Sequence, residues 1–222
     1  VYGLEAITVQ ENISSNLVDW EPSNQSIDVS NEAVIWATDG VDDNSVAFAA
    51  RLMEQDVQVR IIDKEASLSG YNLSRGSVAV IRMDNPNKTN LSDIVSKVAS
   101  ELNISIVSLD SGFGPEELPD WGGRHFRLLK KPQIAILSHE GFNSYDVGVS
   151  WWSIDHHLGI RHSQLNTSIL NYADLRRYNT IIVPSGSTLD DNSKKTLNDW
   201  VRQGGTLIAH NYSTRSLIDN NG

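Results

Sequence analysis

The sequence predicts an α/β fold of two units, each built on a mainly parallel sheet. Three observations point there. Short apolar runs of strand length recur along the 222 residues. Amphipathic helical stretches alternate with them, and turns bearing Gly or Pro separate the two. The units are expected at 32–110 and 132–222. Residues 1–31 read as an N-terminal extension or linker, and 111–131 as a connecting loop.

Within 1–31, residues 6–9 are expected as a short strand, and the polar run from Trp20-Glu21-Pro22 to Ser30 as a loop. The first unit opens with the apolar run 33–37, which the turn Thr38-Asp39-Gly40 ends. Asp42, Asp43 and Asn44 offer caps for a helix whose buried face is Val46, Ala49, Ala50 and Met53. Residues 57–61 alternate like a strand, and 77–83 form another. Ser92 caps a second helix with Ile94, Val95, Val98 and Leu102 inward, and 104–109 closes the unit. The order strand, helix, strand, strand, helix, strand is taken to imply a largely parallel sheet.

The second unit begins with a strand at 133–137, followed by the loop 138–144. A helix over 145–158 presents Val147, Trp151, Ile154 and Leu158 inward, and Gly159 ends it. After a segment around 168–171, a strand at 180–183 is stopped by Pro184-Ser185-Gly186. Asp190 or Asp191 caps the next helix, with Leu197, Trp200 and Val201 inward. Gly204-Gly205 closes it before a strand at 206–209. A doubly wound fold usually continues past such a strand, so this unit is expected to be either truncated or disordered beyond it. The opening at Val1 likewise suggests a mature or excised fragment.

The formal net charge is −10. Nucleic acid requires a basic footprint, so it is excluded as a partner, as is an anionic membrane surface. The longest apolar runs, such as 134–137 and 181–183, are far short of the ~20 residues of a membrane span. The absence of cysteine removes disulfides, thiolate metal sites and a cysteine nucleophile. Eight Asn-x-Ser/Thr sequons occur, at Asn12, Asn24, Asn72, Asn87, Asn90, Asn103, Asn166 and Asn211, a number that an Asn- and Ser-rich composition produces by chance.

In open α/β sheets, ligands bind at the carboxyl ends of the strands, which directs attention to the loops 38–44, 138–144, 184–191 and 210–214. His139 and Glu140 place a base beside a carboxylate, although adjacent loop residues rarely converge on one ion. Asp155, His156 and His157 splay by about 100° each on a helix and cannot easily share a metal, which leaves a site of Asp155 or His156 with His162 as the alternative to a polar helix end. Ser185 follows a strand, but the G-x-S-x-G elbow is missing, since the local sequence is Val183-Pro184-Ser185-Gly186-Ser187-Thr188. Trp151 fits the core face, whereas Trp152 points elsewhere and suits an interface or a ligand platform. His210 follows the last strand. There is no phosphate-binding glycine loop and no H-E-x-x-H.

Two resemblances emerge from these residues. Residues 133–137, the helix after them, the run from Tyr178 to Gly186, and Trp200-Val201-Arg202-Gln203-Gly204-Gly205-Thr206-Leu207-Ile208-Ala209 resemble the class I glutamine amidotransferase-like fold, a flavodoxin-like architecture. In active members a cysteine follows the strand equivalent to 206–209. Here that place holds His210, Asn211 and Tyr212, so the resemblance implies the fold without its chemistry. More broadly, Gly76-Ser77-Val78 with Asp84-Asn85, Leu109-Asp110-Ser111-Gly112, Pro119-Asp120-Trp121-Gly122-Gly123 and Lys131-Pro132 look like the region behind the catalytic domain of large bacterial zinc carboxypeptidase-like proteins. Val1-Tyr2-Gly3-Leu4-Glu5-Ala6 is similar to the stretch where that domain ends. The zinc-binding H-x-x-E of that family is not in this chain.

The resemblance implies a non-catalytic accessory region of an exported peptidase, periplasmic or secreted, with zinc expected only in the parent catalytic domain. Its partners would be that domain and a peptide or sugar ligand. The alternatives are a sugar or small-molecule hydrolase using His139, Glu140 and Ser185, or a ligand-binding module. The ligand-contact residues under either are His139, Glu140, Trp152, Ser185 and His210.

Overall fold

A computed structural model describes residues 27, 29–114, 119–186 and 189–218. The strand expected at 6–9, the loop at 20–26 and Ser187 lie outside the described residues. Residues 35–128 carry β1 (Ile35–Thr38), α1 (Asn44–Glu54), β2 (Arg60–Ile62), β3 (Ala66–Leu68), β4 (Tyr71–Leu73), β5 (Val78–Ile81), α2 (Leu91–Leu102), β6 (Val107–Leu109) and β7 (Phe126–Leu128), of which β3 and β4 form a separate hairpin and the other strands the first sheet. Its strand order is β6-β1-β5-β2-β7, and every neighbouring pair is antiparallel.

This corrects the expectation of a mainly parallel sheet in the first unit. The β3–β4 hairpin turns the chain back, so β5 enters between β1 and β2 in the opposite direction. The result is the split βαβ plan, which the β-α-β-β-α-β order also signals. β7 arises inside the stretch expected as a connecting loop.

Alternation decides which side chains meet. Trp36, Val78 and Val80 face Phe48 and Leu52 of α1 and Leu91, Val95 and Val98 of α2. Ile35, Ala37 and Ala79 face the opposite way, onto Leu68 and Leu73 of the hairpin and onto Trp121 and Phe126. Val46, expected inward, is exposed, while Phe48 and Leu52 are buried. Asp42 Oδ1 accepts the Asn44 amide at 2.9 Å ahead of α1. Gly40 is required where it stands, because a Cβ there would lie 2.3 Å from the Gly76 carbonyl carbon. That contact fills the carboxyl end of β1 with backbone.

The second sheet is parallel, as expected, with order β11-β10-β8-β9. It comprises β8 (Ile134–Ser138), β9 (His162–Asn166), β10 (Thr180–Val183) and β11 (Thr206–Ala209), with α3 (Ser144–Trp152), α4 (Asp191–Arg202) and α5 (Tyr212–Leu217). Strand β9 lies in a stretch where the sequence gives no strand signal, because His162-Ser163-Gln164 carries no apolar alternation. One face packs Ala135, Leu137, Ile181 and Val183 against Leu197 and Trp200 of α4. The other gathers Ile134, Ile136, Ile160 and Ile182, with Ile154 and Leu158 alongside.

Ala50 of α1 belongs to that last cluster. Helix α1 therefore packs on the first sheet through one side and on the second through another. Polar contacts follow the same seam. Glu54 pairs with Arg161, Lys131 Nζ donates to Asp56 Oδ1 at 2.8 Å, and Arg51 donates to the His157 carbonyl at 3.3 Å.

Candidate functional site

The second sheet has a topological switch point. From β8 the chain first moves outward to β9, then returns across to β10 on the other side. A crevice at the carboxyl ends of β8 and β10 is the usual ligand position in such sheets. Here backbone occupies it. Phe142 and Gly186 form a β-bridge, and the Asn143 amide donates to the Ser185 carbonyl at 2.8 Å. A Cβ on Gly186 would fall 2.5 Å from the Gly141 carbonyl oxygen, so glycine is what lets the two loops close on each other.

The sequence-predicted residues around this crevice do not converge. Ser185 is buried beneath the bridge, while His139, Glu140 and His210 are exposed. Among the described residues no hydrogen bond or ion pair joins any of these four to another. Instead, His139 Nδ1 lies 2.7 Å from the hydroxyl of buried Ser138, with His139 held at a positive φ of 75°. His210 continues the sheet, its amide donating to the Val183 carbonyl at 3.0 Å. Asn143, which sequence reasoning passed over, caps α3: its Oδ1 accepts the amides of Tyr145 at 2.9 Å and Asp146 at 3.4 Å.

Asn211 was also missed as an individual. It joins β11 to α5 at φ 51° and ψ −119°, a conformation that L-residues avoid. A strained strand-to-helix turn of this kind is how α/β enzymes raise a nucleophile above a sheet. Asn211 is exposed there, and an amide is no nucleophile.

Trp152 lies on the outer side of α3, where its ring centroid is 5.1 Å from that of His156. Trp151 departs from expectation: it is exposed rather than core, because the helix continues beyond Trp152 as a π-helical turn, Ser153–His157. The wider turn carries Ile154 and Leu158 onto the sheet and leaves Trp151 at the rim.

The carboxylates held below their ordinary range serve structure. Asp56 is lowered by Lys131, Asp174 by Arg176 and Asp199 by Lys195. Asp190 is lowered by the backbone N–H and the hydroxyl of Ser193. A groove of ≈ 470 Å³ lies at the opposite, amino-terminal end of β8 and β9, lined by Glu54, Lys131, Arg161, His162 and Arg177. Among the described residues no group of three His, Asp or Glu side chains is placed to hold a metal ion.

No family model matches the chain, and no curated protein matches it. Among solved structures it is similar to part of a β-galactosidase from Bifidobacterium adolescentis, at 19% identity and a TM-score of 0.29, covering 35% of this chain and 39% of that one. The match thus spans well under half of either chain, and a likeness so slight carries no argument.

Proposed function

We propose that the chain is a non-catalytic accessory region of a larger, exported zinc carboxypeptidase-like peptidase, serving to pack beside the catalytic domain or to bind its substrate or a partner. One observation carries this reading: Asn211 stands at the strained strand-to-helix turn where an active relative of this fold would place its nucleophile. The closed crevice between β8 and β10 agrees with it. So does the burial of Ser185 away from His139 and Glu140, which takes support from a hydrolase using those three residues. The motif order that resembles the peptidase family is what suggests such a parent.

The test is direct. The purified chain is incubated with peptides and with glutamine, with and without added zinc, and product is followed by mass spectrometry. No turnover above buffer is expected. Zinc-dependent removal of C-terminal residues, or release of ammonia from glutamine, would overturn the reading.

A further inference from the structure

We propose that a groove at the outer corner of the first sheet binds a small organic dianion, two negative oxygen-bearing charges of carboxylate or phosphate on a compact apolar body. Such a site does not depend on the parent peptidase proposed above.

The groove has a volume of ≈ 360 Å³, with Arg75, Arg127 and Lys130 around it, Ile61 and Leu129 as its apolar wall, and Asp63 also lining it. Pockets for small ligands span roughly 300–1,000 Å³, so this one suits a compact molecule. Its position follows from the strand order. β7 is an edge strand, and Arg127 stands opposite Ile61 in the β2–β7 register. Alternation puts Arg127 on the same face as Leu129, which packs against the core beneath α1 and α2. The helical cover is incomplete at this corner, and Ile61 remains half-buried. Arg75 arrives from the connection between β4 and β5.

The charges select the ligand. Among the described residues the side chains of Arg75, Arg127 and Lys130 make no hydrogen bond or ion pair, and all three are exposed. Neighbouring cations are consumed within the fold: Arg60 by Asp84, Lys131 by Asp56 and Arg161 by Glu54. Asp63 is engaged as well, its Oδ1 lying 2.8 Å from His125 Nδ1. Three cations less one carboxylate leave the groove a formal charge of +2, on a chain of net charge −10. Charge on a short edge strand guards against strand addition, which accounts for Arg127 and Lys130. It does not account for Arg75, which belongs to another part of the chain. Guanidinium groups take carboxylate and phosphate through paired N–H bonds, and a dianion neutralises the site. The apolar wall gains from a ligand with a hydrocarbon body. An acidic protein would need a surface of about 800 Å² per partner, against this single compact concavity.

Binding of succinate, glutarate, phthalate and phenyl phosphate to the 222-residue chain is measured by calorimetry. Sulfate serves as the dianion without an apolar body, and poly-glutamate as the acidic polymer. At least one organic dianion should bind one-to-one, more tightly than sulfate, and raise the melting temperature. Phenyl phosphate against the dicarboxylates tells which acid group the arginines take. Arg75→Gln and Arg127→Gln should each weaken binding about ten-fold. The melting temperature of the free chain should not change, since neither side chain has a partner in the fold. Arg215→Gln removes the same charge from α5, outside the groove, and should leave the affinity unchanged. The proposal is overturned if no organic dianion binds, if sulfate or poly-glutamate binds more tightly than all of them, or if Arg127→Gln weakens binding no more than Arg215→Gln does.

Discussion

Asn211 holds a conformation, φ 51° and ψ −119°, that glycine adopts freely and that costs other residues about 1–3 kcal/mol. Asn211→Gly relieves that strain and gives back part of it through the greater freedom of the unfolded chain. A net stabilisation of about 1 kcal/mol is expected. Asn211→Val, branched at Cβ, should lose at least as much. Urea denaturation of the two variants decides the matter, and equal midpoints would mean that the turn is unstrained. The sequence shows that a cysteine is missing after 206–209. It does not show which of His210, Asn211 and Tyr212 takes the raised position, since that depends on where the strand ladder ends. His139 illustrates the same gap: adjacency to Glu140 suggested a shared role, but its positive φ turns its ring to Ser138.

At the scale of elements, α4 shows how much the sequence can reveal. Asp190, three residues before Ser193, reads as a cap, and Asp190 does accept the Ser193 amide at 2.9 Å and its hydroxyl at 2.8 Å. Those bonds hold the folded-state pKa of Asp190 below the ordinary range of an aspartate. A carboxylate with a depressed folded pKa stabilises the fold fully above the unfolded pKa, and the contribution is lost as pH falls through the folded one. Melting temperature should therefore fall below about pH 4. Asp190→Asn keeps an acceptor without the charge, so its own decline over that window should be shallower. Parallel melts of parent and variant from pH 6 to pH 2.5 supply the comparison, and identical profiles would remove the cap from the account. Elements with strong apolar periodicity, β10, β11 and α4 among them, are legible in this way. β9 is not, because its pairing with β8 rests on backbone hydrogen bonds that His162-Ser163-Gln164 does not advertise. The direction of the first sheet is hidden for a different reason: alternation gives the face of a strand and says nothing of its polarity.

For the whole molecule, α1 is the decisive element. The sequence assigns it to the first unit alone, since Ala49, Ala50 and Met53 look like one buried face. In the structure Ala49 and Met53 pack with Trp36 and Val80, while Ala50 packs with Ile134, Ile136 and Ile182 of the second sheet. The seam is then fastened by Glu54 with Arg161 and by Asp56 with Lys131. These surface pairs contribute little individually, because solvent screens them. The apolar contact therefore does most of the joining, and the two sheets should unfold together. Trp36 reports on the first core and Trp200 on the second. In variants that retain one or the other as the sole tryptophan, fluorescence should give the same urea midpoint. Ala50→Asp places an unpaired carboxylate in the shared cluster and should cost about 3 kcal/mol, lowering both midpoints together. Two separated transitions in the parent chain, or an Ala50→Asp loss confined to the Trp36 signal, would mean that each sheet stands alone and that α1 merely touches the second.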